Sequence, residues 1–294
     1  MKSIKIFQHT CTPQKKHQLS IRTIKELLGH VPEKLYRPHR VNFYVMHLYT
    51  KGSGTHQVDF KNVEVKPGRM VFISKGQVHS FDHHADYDGY ALMFTEDFFG
   101  RTDFYRQFLD KSTLYNDPLA PSYIDTGDRF NELCCQFDYM IAEQKRHEGE
   151  IQELLLHNYL TNVLLISEIK HGRRGSTILA PGNNDLVTRF KNLVNEHLLE
   201  QWPIKYYAQE LNVTQRTLEN AFVKGEHTTP KKWLMERLIL EIKRRLCYEG
   251  DIPIKSLADL LGFKEVSNFV KFFKNETGVT PVEFRKRLKI PEKH

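Results

Sequence analysis

Six of the nine histidines in the first third of the chain are the side chains best suited to metal chemistry: His39, His47, His56, His79, His83 and His84. A catalytic metal needs three or four ligands that converge from neighbouring strands, commonly a His-x-His pair with a carboxylate and a further histidine. The chain has no His-x-His pair. The side chains of the adjacent His83 and His84 diverge in an extended segment. The sequence therefore predicts no catalytic residue, no metal site and no cofactor.

A degenerate repeat in the last third of the chain carries a second set of polar residues. At a spacing of 50, the first copy matches the second at Ala208 and Ala258, Leu211 and Leu261, and Asn212 and Gly262. At a spacing of 51, the matches are Leu218 and Phe269, Phe222 and Phe273, Thr229-Pro230 and Thr280-Pro281, and Trp233 and Phe284. Two copies of one structural unit are implied.

Each copy has the pattern of a helix-turn-helix. The small Ala208 or Ala258 lets a second helix cross closely, and Asn212 or Gly262 suits the positive φ of a tight interhelical turn. The apolar pairs at i and i+4 bury one face of the second helix and leave its opposite face polar. Thr214 is a good N-cap for that helix in the first copy, and Glu265 is a poorer one in the second.

One long helix, Trp233 to Gly250, is predicted between the copies. As a rigid spacer it would place the two polar faces one turn of DNA apart, roughly 34 Å, in successive major grooves. The distribution of charge along the chain agrees with an anionic partner for this region. Positions 1–172 include 21 basic and 21 acidic residues, whereas positions 173–294 include 22 basic and 15 acidic residues. An ordinary basic surface is the alternative explanation of that charge.

This region resembles the tandem DNA-binding domain of AraC/XylS-type transcription regulators over about residues 185–290. The most specific block is Leu257-Ala258-Asp259-Leu260-Leu261-Gly262-Phe263, followed by Thr277-Gly278-Val279-Thr280-Pro281 and Phe284-Arg285. The first copy departs from the family at Asn212, where glycine is common, and at Gly225-Glu226-His227, which replaces a basic stretch.

The resemblance implies which residues contact double-stranded DNA. They are Gln215, Arg216, Glu219 and Asn220 in the first copy, and Val266, Ser267, Asn268 and Lys271 in the second. Arginine can donate two bonds to guanine, glutamine or asparagine can read adenine, glutamate can accept from cytosine, and valine can meet a thymine methyl group. Lysine can serve a base or a phosphate.

Short strand-like runs between Asn42 and Phe94 predict an antiparallel barrel or jelly roll. The runs are 42–49, 55–60, 63–65, 70–73 and 90–94. With Gly52-Ser53-Gly54-Thr55-His56, Lys66-Pro67-Gly68 and the 74–81 segment, this part resembles the cupin-like effector domain that precedes such DNA-binding domains. The resemblance implies a small-molecule effector. Alternating strand positions suggest a pocket lined by His39, Tyr44, His56 and His79.

Two helical patterns follow the barrel. Apolar residues between Phe130 and Ile141 form one stripe, whereas those between Glu150 and Lys170 wrap nearly all the way round. A helix that is apolar on all sides must be buried on more than one side, so this segment is predicted to form a homodimer interface. A central helix of a monomeric domain is the alternative.

The predicted fold is therefore α+β, with a cupin-like antiparallel barrel and trailing helices followed by an all-α domain of two helix-turn-helix units. The boundaries are 1–172 for the first domain, 173–184 for a linker and 185–294 for the second domain. No signal peptide or stretch of 18 apolar residues is present, and the four cysteines lack ligand-like spacing, which favours a cytoplasmic chain that does not enter a membrane.

The leading functional hypothesis is a sequence-specific, effector-responsive DNA-binding regulator that activates transcription through contact with RNA polymerase, as the resemblance implies. The alternative from another class is a metal-dependent cupin enzyme with a nucleic-acid-binding appendage. A third is a regulator whose barrel binds a protein or nothing at all.

Overall fold

The computed structural model describes residues 6–7, 19–30, 32–120, 122–146, 149–171, 183–200, 203–248 and 252–288. The chain forms two compact units, one of residues 5–179 and the other built mainly from residues 180–294. The predicted linker, 173–184, lies outside the described residues except for Asn183 and Asn184, which belong to a helix. No helix in the described ranges is long and apolar enough to cross a membrane.

Within its described residues, the N-terminal unit contains two five-stranded sheets. Its described strands are β1 (Ile6–Phe7), β2 (Leu19–Thr23), β3 (His39–Val41), β4 (Tyr44–Lys51), β5 (Gly54–Val58), β6 (Lys61–Val65), β7 (Arg69–Ile73), β8 (Val78–Phe81), β9 (Asp88–Phe94) and β10 (Tyr123–Asp125). The strand orders are β1-β3-β8-β5-β6 and β10-β7-β4-β9-β2. The pairing is antiparallel, as predicted, apart from the short parallel pair of β1 with β3.

Strand β4 shows how the second sheet is covered on both faces. Val45 and Tyr49 pack into the barrel interior, while Met46 and Leu48 pack into the cluster that includes the helices. Because successive side chains on a strand point to opposite faces, a strand covered on both sides is apolar almost throughout. The five predicted runs correspond to β4, β5, β6, β7 and β9, with ends displaced by at most two residues.

Seven α-helices accompany the sheets in the part of the N-terminal unit that the structure describes. They are α1 (Ile24–His30), α2 (Pro32–Leu35), α3 (Glu96–Phe99), α4 (Asp103–Lys111), α5 (Thr113–Asn116), α6 (Phe130–Gln144) and α7 (Glu150–His171). Helices α6 and α7 pack against each other. Leu133, Phe137, Leu160 and Leu164 are fully buried in the same cluster as β4. The two predicted helical segments are confirmed.

The C-terminal unit is helical in its described residues. Its α-helices are α8 (Asn183–His197), α9 (Ile204–Glu210), α10 (Gln215–Glu226), α11 (Pro230–Tyr248), α12 (Ile254–Leu260), α13 (Val266–Thr277) and α14 (Pro281–Leu288). Helix α11 begins at Pro230 rather than at Trp233, because proline suits the first helical position and the Thr229 hydroxyl accepts from the Lys232 amide at 3.2 Å.

Both predicted interhelical turns are present. Asn212 has φ of 56° between α9 and α10, and Gly262 has φ of 74° between α12 and α13. The Thr214 side chain accepts from the Thr217 amide at 3.1 Å and caps α10, whereas Glu265 makes no such bond at the start of α13. The helix-turn-helix prediction is therefore confirmed in both copies.

Candidate DNA-binding faces and histidine core

The first candidate DNA-binding face is the solvent side of α10. Gln215, Arg216, Glu219 and Asn220 are all exposed on it. The Gln215 amide donates to the Glu219 carboxylate at 2.9 Å, which joins two neighbouring positions of the face. This face offers one guanidinium, one carboxylate and two amides to the edges of base pairs.

The second candidate face is the corresponding side of α13. Ser267, Asn268 and Lys271 are exposed, and Val266 is half-buried at the first position of the helix. The Ser267 hydroxyl is 3.4 Å from the Glu265 carboxylate. Compared with α10, this face has one cation and no guanidinium, so its potential for two-bond contacts to a base is lower.

Packing on the opposite sides of these helices fixes which residues face outward. On α10, Leu218 and Phe222 are fully buried, and the Phe222 ring lies 5.1 Å from that of Phe190 in α8. On α13, Phe269 and Phe273 are fully buried, and Phe273 lies 5.5 Å from Phe284 in α14. A rotation of either helix would expose these rings, so the polar face is set by the core.

A second candidate site is a cluster of imidazoles inside the barrel. His56 Nε2 lies 3.1 Å from His79 Nδ1, and the Tyr49 hydroxyl lies 3.0 Å from His56 Nδ1. The His39 and His79 rings are 4.2 Å apart, and the His47 and His56 rings are 5.1 Å apart. Strands β3, β4, β5 and β8 each contribute one histidine to this cluster, which we call the histidine core (His39, His47, His56 and His79).

Burial keeps the histidine core neutral. Desolvation is the largest cause that lowers the pKa of His47, to about 3, and the charge of His39 adds to it. Desolvation likewise holds the pKa values of His56 and His79 well below 6.5, with further lowering by the neighbouring imidazoles. The pKa of His39 is also lowered by burial, and its bond to the Arg37 carbonyl opposes that shift.

The structure brings three of the four predicted pocket residues together and separates the fourth. His39, His56 and His79 belong to the histidine core, but Tyr44 lies on the other face of β4, stacked on Phe94 at 5.2 Å and close to Tyr115 at 4.8 Å. The expectation that Tyr44 shares their pocket is wrong, because it has the opposite strand parity. His47 takes its place in the cluster, and its alternation with Val45 and Tyr49 is the signal that identifies it.

The histidine core does not have the geometry of a metal centre. No group of three or more histidine, cysteine, aspartate or glutamate side chains could hold a metal ion within the described part of the chain. Two nitrogens of His56 and His79 are directed at each other. His47 Nδ1 is buried and has no hydrogen-bond partner. The arrangement suits hydrogen bonding to a neutral polar group.

Tandem helix-turn-helix units with exposed polar faces, preceded by a two-sheet barrel with a polar centre, define a DNA-binding transcription regulator. A family model described as an AraC-like ligand binding domain matches residues 27–158, and one described as a helix-turn-helix domain matches residues 207–287. The two occur in the order in which this class carries them. The chain thus carries both domains that AraC/XylS-type transcription regulators combine.

Curated relatives match most of the length of this chain. The chain is 23% identical to the arabinose operon regulatory protein of Salmonella typhimurium, with 88% of this chain and 89% of that protein covered. It is 22% identical to the transcriptional activator RhaS of Yersinia pestis, with 87% and 92% covered. These relatives are regulators and not enzymes, so the enzyme alternative has no support.

Among solved structures, ToxT of Vibrio cholerae O395 aligns with a TM-score of 0.41 at 13% identity. The alignment covers 93% of this chain and 98% of that one.

Proposed function

We propose that this regulator is an effector-responsive activator that reads DNA with both helix-turn-helix units. The exposed polar face of α10, held in place by its buried aromatic side, carries the proposal. Arg216 reads guanine, Gln215 or Asn220 reads adenine, and Glu219 accepts from cytosine. In the second unit Val266 meets a thymine methyl group, while Ser267, Asn268 and Lys271 contact bases or phosphates.

Activation is proposed to proceed by contact with RNA polymerase, in line with the name of the RhaS relatives as activators. A chain whose partner is chromosomal double-stranded DNA is placed by this proposal in the cytoplasm.

A selection of bound sequences from randomised double-stranded DNA tests whether both helix-turn-helix units read bases. The purified chain should enrich two short sequence blocks about 10 to 10.5 base pairs apart, since successive major grooves recur at that spacing. Changing Phe269 to alanine should unfold the second unit and erase one block only. Enrichment of a single block by the wild-type chain would contradict the proposal that both units read bases.

The histidine core is proposed to hold the effector. His47 Nδ1 is a buried polar atom without a hydrogen-bond partner, and the centre of the His47 ring lies 4.9 Å from that of Phe81. Leaving such an atom unsatisfied costs about 1 to 3 kcal/mol. A small neutral molecule with hydroxyl groups could supply the missing bond, which makes a neutral hydroxylated compound the favoured effector class.

Thermal-shift screening tests this assignment. A ligand of the histidine core should raise the melting temperature of the N-terminal unit, because binding to the native state stabilises it by RT ln(1 + [L]/Kd). His47→Phe should abolish the shift, whereas His30→Gln, a change at an exposed histidine on α1, should leave it intact. Equal shifts in both variants would place the ligand elsewhere.

A homodimer through α7 is proposed from the pattern of its exposed side chains. Ile151, Leu154, Leu165 and Ile169 are 74%, 49%, 43% and 68% exposed. They lie on one face with the exposed Asn158 and Asn162 between them. The face runs Ile, Leu, Asn, Asn, Leu, Ile and reads nearly the same in both directions. If α7 of a second chain packed antiparallel on this face, apolar residues would contact apolar residues and asparagines would contact asparagines. A two-fold interface requires such self-complementarity.

Sedimentation of variants tests the dimer. Leu154→Lys and Ile169→Lys should each weaken dimerisation at least about tenfold, because an unpaired ammonium group would be buried between the two α7 helices. Asn131→Lys, on an exposed position of α6, is the control for added charge. Three other apolar residues of α7 are unsuitable for this test, because they are at most 5% exposed and their replacement would damage the core: Leu156, Leu160 and Val163. A wild-type chain that stays monomeric at tens of micromolar would contradict the proposal.

A further inference from the structure

A cleft of about 370 Å³ opens on the first helix-turn-helix unit. It lies between the start of α9, the start of α10 and the first half of α11. Leu198, Leu234 and Leu238 form a buried floor, and Ile204 and Met235 form half-buried walls. A cavity of this size falls within the range of small-molecule sites, which are mostly apolar with a few polar groups.

The rim of the cleft is basic. Lys205, at the start of α9, and Lys231, at the start of α11, line it together with Gln215, and none of the lining residues is acidic. Both lysines are exposed. Neither has an acidic side chain within ion-pair distance in the part of the chain that the structure describes, so both ammonium groups are available to a ligand.

The second helix-turn-helix unit shows that the apolar floor is not a requirement of the fold. Lys205 corresponds to Lys255 at the spacing of 50, but Leu234 corresponds to Arg285 at the spacing of 51. The Arg285 guanidinium donates to the Ile252 carbonyl at 2.7 Å, beside the start of α12. In the second unit a charged side chain thus bridges the helices where the first unit has the apolar floor.

We propose that the cleft binds a small organic anion with an apolar body, such as an aromatic carboxylate or sulfonate. The apolar body lies on the leucine floor, and the acidic group lies beside the ammonium groups of Lys205 and Lys231. Gln215 borders the cleft and is the first residue of α10, the proposed DNA-reading helix. An anion bound in the cleft therefore repels the phosphate backbone of DNA at that helix. The site is separate from the effector site proposed in the barrel and provides direct inhibition of DNA binding.

Fluorescence titration of the full chain with 8-anilinonaphthalene-1-sulfonate tests the site. Lys205→Gln and Lys231→Gln should each weaken binding about threefold, as expected for the loss of one exposed charge contact, and the double variant about tenfold. Met235→Trp should remove binding by filling the cleft without removing a charge. Lys255→Gln, the matched change in the second unit, should leave the affinity unchanged. A DNA duplex selected by the protein should displace the probe from the wild-type chain.

Three results would overturn the proposal. Equal probe affinity in the wild-type chain and in all cleft variants would place the probe elsewhere. Displacement of the probe by an equal concentration of inorganic sulfate would show that the apolar floor plays no part. Lysine variants that weaken only DNA binding would identify the two lysines as phosphate contacts. DNA binding without the probe is measured separately, so failure of this inference is distinguishable from failure of DNA recognition.

Discussion

Lowering the pH from 6 to 5 is expected to destabilise the N-terminal unit by about 3 to 4 kcal/mol through three buried histidines. His47, His56 and His79 are neutral in the folded chain because burial lowers their pKa values from 6.5, for His47 to about 3. The unfolded chain takes up protons as the pH falls below 6.5, and the folded chain does not. The stabilisation is therefore complete above pH 6.5 and is lost progressively towards the folded pKa values.

Hydrogen exchange read by mass spectrometry measures this loss in β4, β5 and β8. His47→Phe should reduce this loss of stability between pH 6 and pH 5 by about 1.2 kcal/mol, because it removes one of the three groups. His30→Gln is the control. Trp202 and Trp233, the two tryptophans, lie in the C-terminal half, so their fluorescence during urea unfolding serves as an internal reference. Protection of the three strands that is the same at pH 6 and pH 5 would show that the histidine core accepts protons without cost.

Arg216→Ala is expected to weaken DNA binding by about 1 to 3 kcal/mol and to relax the preference at one base pair. The guanidinium is exposed on the outer face of α10 and can donate two parallel bonds to guanine. Lys271→Ala should act differently if its ammonium meets a phosphate. It should weaken all sequences alike and lower the slope of log affinity against log salt by about one.

Binding of both variants to the selected duplex and to its single-base variants, across a salt series, separates the two effects. Lys224→Ala removes a cation from the last turn of α10 and controls for general charge. If Arg216→Ala leaves affinity and base preference unchanged, α10 is not the base-reading element. The hydrogen bond from Gln215 to Glu219 provides a second test of base reading by α10. Glu219→Ala removes that bond and should also change the preference for the base that Gln215 reads.

The helix-turn-helix units follow from local physical rules, and the sequence was therefore sufficient to predict them. Asn212 and Gly262 occupy the two positive-φ turns because few other residues tolerate that conformation. Leu218 with Phe222, and Phe269 with Phe273, recur one helical turn apart and so define buried faces without reference to distant residues. Because the unit is repeated, each of these sequence features occurs twice, which strengthens the prediction.

The barrel depended on long-range pairing, and there the sequence was less informative. Strands β1, β2, β3, β8 and β10 were not predicted, since their short runs are stabilised by partners far along the chain, such as β2 by β9. Tyr44 and His47 are three residues apart and lie on opposite faces of β4, where both faces are buried and apolarity cannot distinguish inside from outside.

The sequence by itself determined the fold class, the second helix of each helix-turn-helix unit with its polar face, and the apolar character of α7, because each follows from local periodicity or from the repeat. Tertiary structure decided which histidines meet in the barrel and which apolar residues of α7 remain exposed. It also decided that Leu234 lines an open cleft where Arg285 bridges two helices in the second unit. These depend on strand register and on the packing of helices distant in sequence, which no local pattern encodes.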